Sequence, residues 1–288
     1  MSWIPHCGRH LDSGKQGRPN SSQNQFLVKE IAMRITTGIA IAITLGAASI
    51  LAAADASYIG KWRLNPARSR LVGGTLTIEK TASGTMRFEM SGVSYAFNVD
   101  GKEYPTPDGG TASWKALDEK TWEVTIRMNG KETAVVKLSL EGNSLSTSAS
   151  VKKPDGGTID QMAKFARASG GPGFLGKWKS TEVKVPAMSM ELSMNGTDGL
   201  TLRFPEEGTV CTAKFDGKDY PVTGPLVGNK MSFSLKRTGP RSFEMTEKLD
   251  GKALYLDRFS VSEDGNSLTN DATSVSAKEA IKVVYDRQ

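Results

Sequence analysis

The sequence predicts an all-β fold, with two tandem antiparallel β-barrel or sandwich domains following an N-terminal signal segment. Three observations carry this expectation. The second half of the chain repeats the first, apolar and polar residues alternate in short runs, and Asp-Gly, Asn-Gly and Gly-Asn turn dipeptides separate the runs.

The repeat has an offset of 116 to 123 residues. Tyr58-Ile-Gly-Lys-Trp62 returns as Phe174-Leu-Gly-Lys-Trp178, and Asp100-Gly-Lys-Glu-Tyr-Pro105 as Asp216-Gly-Lys-Asp-Tyr-Pro221. Met86-Arg-Phe88 matches Leu202-Arg-Phe204, Asn129-Gly-Lys131 matches Asp250-Gly-Lys252, and Glu141-Gly-Asn-Ser-Leu145 matches Asp264-Gly-Asn-Ser-Leu268. Matches in this order indicate duplication. The joint, Ala168-Ser-Gly-Gly-Pro-Gly173, has linker composition. The expected organisation is a first domain over 57–168, a linker over 169–173 and a second domain over 174–288.

Within the first copy, one strand face carries Leu76 and Ile78; the faces that follow carry Met86, Phe88 and Met90, then Tyr95, Phe97 and Val99. Trp122, Val124, Ile126 and Met128 form another face, and Val136, Leu138 and Leu140 the next. Copy two answers with Leu192 and Met194, Leu202 and Phe204, Phe215, Phe243 and Met245, Phe259 and Val261, and Ile281, Val283 and Tyr285. Period-two alternation is the mark of half-buried antiparallel strands. Seven or eight per copy suit a small barrel or sandwich. Gly157 to Arg167 reads two ways: Ile159, Met162 and Phe165 stripe a short helix, while the repeat makes the same stretch a closing strand.

Upstream of the repeat, Met33-Arg34 and the apolar run Ile35 to Leu51 end in Ala52-Ala53-Ala54-Asp55-Ala56. A basic start, an apolar run and small residues at alternate positions describe a cleaved secretory signal over 33–56. This implies a periplasmic or secreted protein with no stable membrane span after cleavage; the alternative is an uncleaved anchor, which the short run, broken by Thr44, Gly46 and Ser49, disfavours. Residues 1–32 are polar and unpatterned and are read as a disordered or mis-assigned extension.

That reading removes most chemistry. His6, His10 and Cys7 all lie in the extension, so the exported chain has no histidine and one cysteine, Cys211. Histidine-dependent triads, His-ligated metals and an internal disulfide are thereby excluded, and neither a cofactor nor a metal is expected. Residues 57–288 hold 32 basic and 28 acidic residues. With no basic run interleaved with aromatics, nucleic acid is not an expected partner.

Each copy opens with Gly-Lys-Trp (Gly60 to Trp62, Gly176 to Trp178) and closes with an aromatic two before an Arg (Phe165-Ala-Arg167, Tyr285-Asp-Arg287). This resembles the calycin barrels, the lipocalins and fatty-acid-binding proteins. There, a first-strand Gly-x-Trp packs on a basic residue of the last strand. The resemblance implies small barrels that bind ligands internally. Two departures stand out: Asn65 to Arg70 is too short for that family's two helices, and Val283 stands where the family anchors a carboxylate with Arg.

Differences between the copies point to candidate sites. Met188, Met190 and Met194 with Cys211 present soft sulfur, but their counterparts Val72, Gly74, Ile78 and Tyr95 show exchanged core volume, which indicates packing. A polar change is more informative. If Asn129-Gly-Lys131 and Asp250-Gly-Lys252 are three-residue hairpin loops, Ile126 faces Ala134 and Val124 faces Val136. The corresponding pairs in copy two are Glu247 with Tyr255 and Met245 with Asp257. Three apolar positions have become Glu247, Tyr255 and Asp257 on one inward face, which needs a reason because buried carboxylates are costly. These three are the candidate ligand-binding residues; no catalytic residue is assigned. The expected function is non-catalytic binding of a small molecule or cell-envelope component. The alternatives are a protein-interaction module of the envelope and a hydrolase in which Glu247 and Asp257, about 7 to 8 Å apart at Cβ, act as paired carboxylates.

Overall fold

The computed structural model describes residues 57–288, so the expected extension and signal segment lie outside the described residues. The first half contains β1 (Gly60–Leu64), β2 (Thr75–Lys80), β3 (Met86–Met90), β4 (Val93–Phe97), β5 (Glu103–Pro105), β6 (Thr111–Asp118), β7 (Thr121–Met128), β8 (Lys131–Glu141), β9 (Ser144–Lys152) and β10 (Thr158–Ser169). The second contains β11 (Gly176–Lys184), β12 (Ser189–Asn195), β13 (Gly199–Phe204), β14 (Thr209–Lys214), β15 (Tyr220–Thr223), β16 (Met231–Gly239), β17 (Ser242–Leu249), β18 (Lys252–Val261), β19 (Ser267–Ser274) and β20 (Ala280–Arg287). No helix occurs among the described residues, and Thr158 to Arg167 belongs to the closing strand β10.

Both sheets are antiparallel, barrel-shaped and ten-stranded. The count exceeds seven or eight partly because β5 and β15 span only three and four residues, too few for alternation to register. The sheet over the second repeat closes fully, whereas that over the first ends at β4 and β5, which share no ladder.

Sequence repeats and sheets do not coincide at the opening strands. β1 of the first repeat pairs with β12 and β20 and completes the second barrel. Reciprocally, β11 of the second repeat pairs with β2 and β10 and completes the first barrel. Trp62 therefore lies beneath the Arg287 guanidinium, 4.2 Å from its ring centre, and Trp178 beneath that of Arg167 at 4.0 Å. Each indole N–H donates to the carbonyl four residues back, Tyr58 or Phe174. Arg287 also donates to the carbonyls of Ser57, Ile59 and Gly265, and Arg167 to those of Gly173 and Leu175. At one end of each barrel, a buried tryptophan and an arginine from opposite repeats thus form a plug.

At their other ends the barrels meet rim to rim. The β3–β4 turn approaches the β19–β20 turn so closely that a Cβ on Gly92 would fall 2.6 Å from Ser276 Oγ. In the pseudo-symmetric contact, a Cβ on Gly208 would fall 2.7 Å from Pro154 Cγ. Both glycines also have positive φ, so these turns have two reasons to exclude a side chain. Glu279, in the same rim, accepts from the Thr75 amide at 2.9 Å and from Lys179 Nζ at 2.7 Å, tying the second barrel to β2 and β11. Buried side chains of both sheets form one continuous apolar core.

Candidate binding site in the second barrel

The candidate residues reach their positions through a turn and a bulge. Asn129-Gly130 and Asp250-Gly251 have φ of 52°, 73°, 51° and 75°, the paired left-handed conformations of a two-residue hairpin. Met128 accordingly pairs with Lys131 and Leu249 with Lys252, not across the three-residue loop expected. Such a turn alone would place Glu247 opposite Leu254 and rotate Asp257 outward. One extra residue, Thr133 in the first hairpin and Leu254 in the second, bulges and restores the inward face. The resulting pairs are Ile126 with Ala134, Val124 with Val136, Glu247 with Tyr255, and Met245 with Asp257.

Glu247, Tyr255 and Asp257 are 2%, 6% and 1% exposed. Asn270, on the adjoining β19, is fully buried and donates from Nδ2 to Asp257 Oδ1 at 3.1 Å. Diagonal to Asn270 on β20 stands Tyr285, whose inward ring is also buried. Its hydroxyl is held well above the ordinary phenol range, first by burial and then by the nearby carboxyl groups of Asp257, Glu207 and Glu247. Three carboxyl groups from three elements therefore lie around one phenol that stays protonated and can donate.

Glu207, Asn270 and Tyr285 complete the group but were not selected from the sequence. The comparison that found the other three contains the signal: at the same offsets the first repeat has Ser91, Thr147 and Phe165. Chemically, carboxyl oxygens accept while phenols and the Asn270 amide donate, an arrangement suited to hydroxyl, ammonium or amide N–H groups. Among the described residues, no group of three or more His, Cys, Asp or Glu is placed to hold a metal ion.

Of the sulfur residues, Met188, Met190 and Cys211 are buried in the core while Met194 is 37% exposed, so the four do not share one face. Burial pushes the Cys211 thiol up to about 12, and its Sγ lies 3.9 Å from the Tyr220 carbonyl oxygen. Trp114 and Trp122 pack inside the first barrel, stacked at 4.1 Å on Phe97 and Phe174 respectively. No protein-family model matches this chain, and no curated protein matches it at a significant level.

Proposed function

We propose that the chain is an exported, non-catalytic binding protein with calycin-like barrels. Its second barrel would hold a small, hydrogen-bond-donating molecule or the head of a cell-envelope component. One observation carries this reading: Glu207, Glu247, Asp257, Asn270, Tyr255 and Tyr285 are buried together where the first repeat has Ser91, Ile126, Val136, Thr147, Ala134 and Phe165. An ordinary core has no use for three carboxyl groups, because desolvating them costs more than apolar side chains of similar volume would.

The Trp62–Arg287 and Trp178–Arg167 stacks support the calycin resemblance, since opening tryptophans pack on closing arginines. The same acidic interior argues against a fatty-acid ligand. Its carboxylate would meet carboxyl groups, with Val283 where the family places its anchoring Arg.

Protein purified after exposure to envelope extract is expected to retain a small molecule, identified by denaturing extraction and mass spectrometry. Glu247→Gln with Asp257→Asn is expected to lose it while keeping the native circular dichroism. A reproducibly empty wild-type protein, or full retention by the double variant, refutes the proposal.

A further inference from the structure

The first barrel contains a different buried polar group. Gln161 points inward from β10 and is 4% exposed, and neither its amide oxygen nor its amide nitrogen has a hydrogen-bond partner. Thr147, one inward position away on β9, is 1% exposed and its hydroxyl is likewise unpartnered. Native interiors satisfy nearly all such groups, and a carboxamide unsatisfied at both ends forfeits hydrogen bonds that water would supply in the unfolded chain. Packing alone does not account for Gln161, because the matching position in the second repeat is Ile281.

The surroundings are short. Ala149 pairs with Gln161, Ala163 with Thr147, and Ala134 with Val151, and all three alanines are buried. Tyr255 and Val283 occupy the places of Ala134 and Ala163 in the second barrel. Larger rings of the first barrel, Tyr95, Phe97 and Trp114, cluster on other strands, where Trp114 donates to the Tyr95 hydroxyl at 3.1 Å. Asp108, buried in the rim loop, accepts from the Gly110 amide at 3.3 Å. This barrel also has the unladdered seam between β4 and β5 that the closed second barrel lacks.

We propose that the first barrel is a second binding chamber, for an uncharged molecule bearing a carboxamide on a small apolar body. Gln161 pairs with it edge to edge: its Nε2 donates to the ligand carbonyl and its Oε1 accepts from the ligand N–H, while the Thr147 hydroxyl supplies a third contact. The alanines receive the apolar body. The two barrels then select by different chemistry, charged acceptors in one and a neutral donor-acceptor pair in the other.

Benzamide is the probe, with benzylammonium of similar size as the charged control. In nitrogen-15-labelled protein, benzamide is expected to shift the Gln161 side-chain amide signals saturably, identified by their loss in Gln161→Leu. Benzylammonium is expected to leave them unmoved. Gln161→Leu, which keeps the volume and removes the unsatisfied amide, is expected to weaken benzamide about tenfold, as loss of two net hydrogen bonds implies. Thr147→Val is expected to weaken it about threefold and serves as an independent variant should Gln161→Leu fail to fold. Absence of a saturable shift, equal affinity in the variants, or Gln161 amide protons that contact only water would each overturn the proposal.

Discussion

Cutting the chain in its linker tests the strand exchange directly. Gly171 and Pro172 are exposed, and no atom lies within 4 Å of a Cβ placed on Gly171, so a protease site fits there without disturbing either barrel. After cleavage, each fragment still inserts an opening strand into the sheet formed by the other. That strand carries a fully buried tryptophan, Trp62 or Trp178. Burying a tryptophan removes roughly 200 Å² from water, about 5 kcal/mol, and its guanidinium stack adds about 1 kcal/mol. Two such strands thus supply on the order of 12 kcal/mol before ladder hydrogen bonds and rim contacts, against an association cost of about 4 to 15 kcal/mol. At the lower end of that cost the net is near 8 kcal/mol, a dissociation constant of about 1 µM, and the additional contacts tighten it. The nicked protein is expected to elute as one full-mass species by gel filtration with light scattering. Fragments separated in urea and refolded singly are expected to show no cooperative unfolding. Two half-mass, independently folded species would refute the exchange, because each repeat would then have completed its own sheet.

Other expectations follow from single residues. Cys211, with its thiol pushed up to about 12, is only about one part in ten thousand thiolate at pH 8, so alkylation is expected to follow global unfolding in a urea series. Burial raises the Tyr95 and Tyr285 hydroxyls above their ordinary value of 10, and a raised phenol keeps its proton in the folded state after the unfolded chain has lost it. Their contribution to stability is therefore constant below pH 10 and falls as pH rises beyond it; phenolate absorbance from these two is expected to appear together with loss of circular dichroism. Arg287→Met removes the stack over Trp62 and three bonds to carbonyls, an expected loss of about 2 to 4 kcal/mol by urea denaturation, partly recovered by Arg287→Lys. Deleting Leu254 removes the bulge but leaves Tyr255 opposite Glu247 across a regular two-residue hairpin, so a cooperative urea transition is expected to persist, weakened by about 2 to 4 kcal/mol for the lost buried side chain.

The β content and most inward faces were legible because alternation depends on local side-chain patterning, and strands such as Ser242–Leu249 alternate without a break; Met194, expected beside Leu192 on an inward face, is exposed instead because burial along β12 ends at Leu192. The pairing of Glu247 with Tyr255 was also legible, although it rests on a two-residue turn plus a bulge rather than the longer loop inferred; both routes add one residue to the register. Which sheet each opening strand completes was not legible. Tyr58-Ile-Gly-Lys-Trp62 and Phe174-Leu-Gly-Lys-Trp178 are nearly the same segment, so either suits either partner, and the choice is made by long-range contacts of the crossovers. Asn65 donating to Asp286 at 2.6 Å and Gly73 donating to Ser180 Oγ at 2.8 Å are contacts of this kind. Glu207 escaped notice because it stands in a turn, where an acidic residue attracts no attention until its burial is known.

The rim-to-rim arrangement also limits how far the two halves can come apart. Each barrel carries an indole beneath a guanidinium at its far end and meets its neighbour at its near end. Two short tethers, residues 65–74 and 185–188, run between the halves. Opening the rim contact breaks the Glu279 bonds to Thr75 and Lys179 but leaves the exchanged strands β1 and β11 in place, so the two halves stay joined.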